Sequence, residues 1–209
     1  MARNEKNITL LEKTVQTSAR VIEDPAGRQV KVLQEEDAEK LCSSHGQPRA
    51  SVYVAALRQG ILPYRYLRNR DSVTLDMQLK LAESRVGVIG AGGLGGHVIL
   101  LLARLGIGSL VVVDGDAFDE TNQNRQALSN MKNRGVCKAL EARFAVASVN
   151  PGVEVIAHPL RLDGVNGKEI LAECRVVVDA LDNVADRFIL EEIARGLRIP
   201  LVHGAVAGF

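Results

Sequence analysis

Residues 86–96 read Val-Gly-Val-Ile-Gly-Ala-Gly-Gly-Leu-Gly-Gly, an apolar run that ends in Gly90-x-Gly92-x-x-Gly95 and leads into a helix-like stretch, His97 to Leu105. Strand, tight glycine turn and helix in that order expose backbone N–H groups at a helix N-terminus, where phosphate binds. In such a turn Gly90 permits the reversal, Gly92 or Gly93 lets a phosphate approach the backbone, and Gly95 or Gly96 lets the helix pack close to the strand. Alone, the pattern says nucleotide and names no reaction.

The residues between 114 and 183 narrow the chemistry. Asp114 ends the next strand about 20 residues past the turn, where a carboxylate hydrogen-bonds a ribose hydroxyl, and Asp116 competes for that role. To this point a nicotinamide-dependent oxidoreductase fits. Then comes Thr121-Asn122-Gln123-Asn124-Arg125-Gln126, polar and cation-bearing, followed by Lys138 at the start of a helix and Asp182-Asn183 just past the strand ending at Asp179. All lie beyond the C-terminal ends of strands, where open α/β sheets bind ligands. A guanidinium, an ammonium and a carboxylate around a glycine turn suit a triphosphate with Mg²⁺. Arg holds phosphate oxygens bidentately, Lys acts as a point charge, and a carboxylate such as Asp182 holds a hydrated Mg²⁺. Taken singly, each admits a plainer role: Arg125 a solvated loop cation, Lys138 a helix-surface charge, Asp182 the N-cap of the next helix. A nicotinamide site needs no such set.

The elements that must position these residues follow from pattern. Arg85–Ile89, Leu110–Asp114, Val153–His158, Arg175–Asp179 and Pro200–Gly204 read as strands, and Leu75–Ser84, His97–Leu105, Lys138–Val149, Asn166–Glu173 and Asp186–Leu197 as helices. Alternating strands and helices imply right-handed crossovers and a mainly parallel sheet. The all-apolar strands Leu110–Val113 and Val176–Val178 imply burial on both faces. The fold class expected is therefore α/β, a Rossmann-like doubly wound sheet. Residues 1–64 read differently, as a small α+β appendage. Asp24-Pro25-Ala26-Gly27 marks a turn between two short strands, and helices are expected over Glu35–Cys42 and Val52–Gln59.

Composition is that of a globular protein. The chain has 209 residues, 46% hydrophobic and 24% charged, with a formal net charge of +1, 3% aromatic residues and no Trp. There is no electrostatic footprint for nucleic acid. No apolar run reaches the roughly 18 residues that span a bilayer, and the N-terminus leads into no signal-like core, so a cytoplasmic protein away from membranes is expected. Cys42, Cys137 and Cys174 form no Cys-x-x-Cys, and the four histidines show no metal-ligand spacing, so no zinc is expected.

At Arg65-Tyr66-Leu67-Arg68, Gly90–Gly96, Asp114-Gly115-Asp116, Thr121–Gln126, Lys138, Asp179–Asn183 and Pro200–Ala205, the chain resembles the ThiF/MoeB/HesA family of ubiquitin-activating-enzyme-like adenylyltransferases. The resemblance covers residues 65–209, taken as an adenylation domain beside the 1–64 appendage. It implies ATP-dependent adenylation of the C-terminal carboxylate of a ubiquitin-like sulfur carrier ending in Gly-Gly, for thiamine, molybdopterin or related sulfur transfer. A dehydratase acting on threonylcarbamoyladenosine in tRNA, from the same family, is an alternative, as is the nicotinamide-dependent oxidoreductase. The implied roles are backbone contacts to ATP from Gly90, Gly92, Gly93, Leu94 and Gly95, and ribose binding by Asp114 with Asp116 beside it. Asn122, Asn124, Arg125 and Gln126 would surround the phosphates. Lys138 would stabilise the α-phosphate and Asp182, next to Asn183, would hold Mg²⁺. Arg68 resembles an arginine that reaches into a partner protomer's site, which implies a homodimer. Family members usually carry Gln where Asn69 stands and continue past the position of Phe209 with cysteine-bearing segments. The expectation is a trimmed form, or thiolation chemistry that takes place elsewhere.

Overall fold

The computed structural model describes residues 2–205, with side chains described from Leu10 onward. By packing, the chain forms two compact units, Met1–Glu83 and Ser84–Phe209.

The first unit runs α1 (Ala2–Ser18), β1 (Arg20–Glu23), β2 (Gln29–Leu33), α2 (Glu35–His45), α3 (Arg49–Arg58), β3 (Leu62–Pro63), a 3-10 turn over Tyr64–Asn69 and α4 (Leu75–Ala82). β1 and β2 form the expected antiparallel hairpin, and β3 adds to β2 in parallel. α1 has no counterpart in the sequence reading. Among its described side chains it buries Leu11 and Val15, one turn apart, while Leu10 stays exposed. The core gathers Val15, Val32, Ala38, Val52, Ala56 and Ile61, all fully buried. Tyr66 is buried against it, edge-on to Tyr53 with ring centroids 6.1 Å apart, and Leu67, Leu75, Leu79 and Ala82 pack around it. That packing is why the structural division falls after Glu83, whereas the sequence reading divides the chain at 64/65.

The second unit alternates β4 (Arg85–Ile89), α5 (Gly93–Leu105), β5 (Ser109–Val113), α6 (Lys138–Val149), β6 (Glu154–His158), α7 (Asn166–Leu171), β7 (Val176–Asp179), α8 (Val184–Leu197) and β8 (Leu201–His203). The five strands lie in the order β6-β5-β4-β7-β8, and every pair is parallel. This is the doubly wound sheet expected. β5 is buried along its whole length, as its β-branched run demands. One apolar layer joins Val111, Val113 and Val177 to Leu171, Leu190 and Ile193 of α7 and α8. Each such side chain contributes about 1.5–3 kcal/mol when fully buried. The chain leaves β4 toward β5 and β6, then returns to the other side of β4 through β7. That reversal opens a crevice at the carboxyl ends of the strands, beside β4. Register brings Ile89, Val113, His158, Asp179 and His203 level at that edge. Among the described residues no helix is long and apolar enough to cross a membrane.

The β1–β2 turn is tied by one buried carboxylate. Asp24 Oδ1 accepts from the N–H groups of Ala26 and Arg28, both at 2.9 Å. Its Oδ2 accepts from Arg28 Nε at 2.7 Å and Arg70 Nη1 at 2.9 Å. Burial alone raises this carboxyl, but the Arg28 backbone and side-chain hydrogen bonds outweigh it and hold the group down at about 2. A carboxyl held below its unfolded value of 3.8 contributes stability above that pH and loses it as pH falls toward 2. In acid titrations followed by circular dichroism, Asp24→Asn is expected to lower stability at neutral pH and to flatten the loss of stability between pH 3.8 and 2. An unchanged acid limb in the variant would contradict this.

Candidate functional site

The site is built on the junction of β4 and α5. Gly90 has φ +93°, and a side chain there would come within 2.7 Å of the Ala180 carbonyl oxygen. Gly95 sits closer still: a Cβ would lie 1.8 Å from the carbonyl oxygen of Gly90. The helix can therefore begin at Gly93, four residues before the expected His97, because the missing side chains let its first turn lie against the strand end. Packing here overrides the poor helix propensity of glycine. The N–H groups of that first turn have no acceptor within the helix and face the crevice.

On the β5 side, Asp114 Oδ2 accepts from the Ala91 N–H at 2.7 Å and Oδ1 from the Asp116 N–H at 2.8 Å. Burial pushes the Asp114 carboxyl up, and these two backbone donors only partly offset it. Asp114 thus braces the glycine turn, while Asp116 stays exposed and pairs with Lys138 Nζ at 3.0 Å. The Lys138 side chain is only 8% exposed, so its ammonium is presented at the start of α6 from an otherwise buried stem. Arg125 is exposed and held by the Thr121 carbonyl at 3.0 Å and Asn124 Oδ1 at 3.1 Å, both neutral. Gln126 is buried, and its Oε1 has no hydrogen-bond partner. An orphaned buried acceptor beside a phosphate-type turn is a costly feature that a ligand donor or a water would satisfy.

On the β7 side, Asn183 caps α8. It accepts from the Asp186 N–H at 2.9 Å and donates to Asp186 Oδ2 at 2.8 Å. The cap is therefore Asn183 and not Asp182, whose exposed carboxylate has no hydrogen bond or ion pair among the described residues. Asp186 receives Arg161 through Nε and Nη2, and that guanidinium, with Asn183, holds its carboxyl low. Arg187 donates to the Leu181 carbonyl and touches His203, whose Nδ1 lies 2.7 Å from the buried Asp179 Oδ2.

These residues line one cleft of about 1030 Å³ in the second unit. Of the residues singled out by sequence, it brings together Gly90, Gly92, Gly93, Leu94, Asp114, Asp116, Arg125, Gln126, Lys138, Asp182 and Asn183. Gly95 lies beneath the turn. Asn122 and Asn124 are not part of the cleft lining: Asn122 Oδ1 accepts from the Asp119 N–H in a capping box, and Asn124 Oδ1 accepts from Arg125. Arg68 lies on the 3-10 turn of the first unit. The cleft also takes in Gly204 of the Pro200–Ala205 stretch, and His97, Leu160, Arg161, Asp186 and Arg187, which the sequence reading gave no site role. Arg161 and Arg187 carry no motif of their own, and only the parallel register brings their elements to this edge. Cys174, buried behind β4, has its thiol pushed up to about 11 by burial, far from a reactive thiolate.

Among the described residues no three His, Cys, Asp or Glu side chains converge as a metal-binding group. A single unpaired carboxylate is nonetheless the protein share of a Mg²⁺ site completed by phosphates and water, and Asp182 fits that pattern.

A family model described as ThiF family matches residues 66–209. The SAMP-activating enzyme E1 of Haloferax volcanii is 43% identical over 147 residues, which are 69% of this chain and 54% of that protein. The sulfur carrier protein adenylyltransferase of Thermus thermophilus is 39% identical over 152 residues, 73% of this chain and 53% of that one. The chain thus spans about half the length of these two relatives. Among solved structures, the E. coli tRNA N6-threonylcarbamoyladenosine dehydratase in complex with ATP is similar with a TM-score of 0.66 and 28% identity, over 69% of this chain and 60% of that one.

Gly95→Ala is expected to cost about 1–3 kcal/mol or more, because its methyl group must push backbone and not a flexible side chain. Thermal unfolding measures this. A variant as stable as the parent would mean that α5 does not lie this close to β4.

Proposed function

The chain belongs to the ThiF family, and from that premise we propose that it is an ATP-dependent adenylyltransferase acting on the C-terminal carboxylate of a ubiquitin-like sulfur carrier ending in Gly-Gly. One observation carries the reading: a glycine turn at a helix N-terminus shares a single cleft with Lys138, Arg125 and the unpaired carboxylate of Asp182. A nicotinamide has no use for that charged set.

In the reaction, a carboxylate oxygen bonds to the α-phosphorus of ATP and the bond from that phosphorus to the bridging oxygen of the β-phosphate breaks. Pyrophosphate leaves with the electron pair, and the acyl-adenylate remains. The attacking group is already ionised, so no general base is required. The demand falls on negative charge gathering at a five-coordinate phosphorus, which preorganised cations and backbone N–H groups stabilise. In this reading the first turn of α5 takes phosphate oxygens, and Lys138 and Arg125 flank them. Asp116, freer than Asp114, meets the ribose while Asp114 braces the turn. Gln126 gains a partner for its orphaned oxygen. Asp182 would hold the Mg²⁺, which when bound would supply charge neutralisation to the phosphates. The family resemblance further suggests a cytoplasmic homodimer in which Arg68 serves the partner's site, and a place in thiamine, molybdopterin or related sulfur transfer. Structural likeness to the tRNA dehydratase supports a second reading in which the activated carboxylate belongs to a modified tRNA base, although the near-zero net charge speaks against it.

Exchange of radiolabelled pyrophosphate into ATP tests the proposal, run with carrier proteins of the ThiS and MoaD type and with tRNA. Carrier-dependent exchange is expected. Arg125→Ala and Asp182→Ala should each reduce it by roughly 100-fold or more while the far-ultraviolet circular dichroism is unchanged. Binding of NADH without binding of ATP would overturn the reading, and full exchange in both variants would overturn the site.

A further inference from the structure

Four strong cations line the cleft: Arg125, Lys138, Arg161 and Arg187. Two are neutralised in place. Lys138 faces Asp116 at 3.0 Å and Arg161 faces Asp186 at 2.7 Å. Arg125 and Arg187 have no carboxylate partner among the described residues. Arg187 donates to the Leu181 carbonyl and contacts the imidazole of His203. Arg187 Nη1 lies 2.9 Å from His203 Nε2 and 3.4 Å from Nδ1, so the guanidinium lies against the ring and not in line with one lone pair. Asp179, 1% exposed, fixes that ring through Nδ1 at 2.7 Å, a pairing set by the β7–β8 register. A buried carboxylate thus orients the ring, and the ring orients a cation that has no carboxylate partner among the described residues.

The two uncompensated guanidinium groups stand on opposite sides of β4. Arg125 belongs to the connection after β5, with Lys138. Arg187 belongs to α8, after β7. With phosphates on the glycine turn and the β5 side, the second reactant has the β7–β8 side from which to reach the α-phosphorus. The lining there is Leu181, Gly204 and Ala205 beside Asp182 and Asn183, so its one unpaired carboxylate is the group assigned to Mg²⁺ and the rest of the wall is uncharged. Such a wall admits a narrow, extended tail, and Arg187 is the cation that its charged end meets.

We propose that Arg187 receives the carboxylate of the acceptor tail, with His203 and Asp179 as positioning residues that hold it. The inference rests on the adenylation reading and adds to it the residue that recognises the acceptor. One carboxylate oxygen on the guanidinium leaves the other free to face the phosphorus, which is the orientation the attack requires.

The test uses the full chain, exchange of pyrophosphate into ATP with the ThiS- or MoaD-type carrier that the unaltered chain accepts, and calorimetric binding of a non-hydrolysable ATP analogue without carrier. In Arg187→Ala, and in Arg187→Gln as a variant that keeps hydrogen-bonding capacity, the KM for carrier should rise roughly 10- to 100-fold with the affinity for the ATP analogue unchanged. His203→Leu should raise the same KM. His203→Asn, which keeps a donor for Asp179 and an acceptor for Arg187, should restore most of it. An unchanged KM for carrier in both Arg187 variants overturns the inference while leaving the adenylation reading intact. So does a matching loss of affinity for the ATP analogue, which would make Arg187 a phosphate ligand. Absence of carrier-dependent exchange by the unaltered chain overturns the adenylation reading, and the inference falls with it.

Discussion

The second unit depends on one close approach: the start of α5 lies so near the end of β4 that residue 95 has room for a hydrogen atom and nothing larger. This contact aims the open N–H groups of the helix at the crevice. It also fixes where the neighbouring loops must run, since Asp114 reaches back from the end of β5 to the Ala91 N–H at the same junction. Burial makes that carboxylate costly to ionise, so its two backbone hydrogen bonds are a structural commitment and not surface decoration. The glycines and Asp114 therefore form a single device, in which one side removes bulk and the other supplies the clamp.

What the sequence conveyed depended on the scale at which each feature is encoded. The strands of the sheet were legible because burial on both faces demands runs such as Leu110–Val113, and alternation with helices then implies the parallel order. The appendage hairpin was legible because Asp24-Pro25-Ala26-Gly27 has turn chemistry of its own. α1 was not, since its mostly polar sequence, Ala-Arg-Asn-Glu-Lys-Asn at its start, carries little periodic apolar signal. Nor was the packing boundary: Tyr66 and Leu79 look the same in sequence whichever core they join.

The site divides in the same way. Gly90, Lys138 and Asp182 were recoverable because position relative to a strand end carries their meaning. Asn122 and Asn124 came with them through the family resemblance, and here both hydrogen-bond within the loop that presents Arg125. The cap of α8 is Asn183, which frees Asp182, and a one-residue distinction of that kind is decided by backbone angles. Arg161 follows β6 and Arg187 lies on α8 after β7, so only the assembled sheet brings them to one cleft. Charge is then partitioned across the crevice. Lys138 and Arg161 are balanced where they stand, and Arg125 and Arg187 are left with surplus charge on either side of the glycine turn.

Leu94 occupies the first turn of α5, and a Cβ at Gly204, just past β8, would come within 2.6 Å of its side chain. The turn that faces the phosphates and the wall on the β8 side therefore share one contact. Free-energy coupling through such a contact is reciprocal. In the proposed reaction, an occupant of one half of the cleft that displaced Leu94 would change the affinity of the other half, and the second occupant would change that of the first by the same factor.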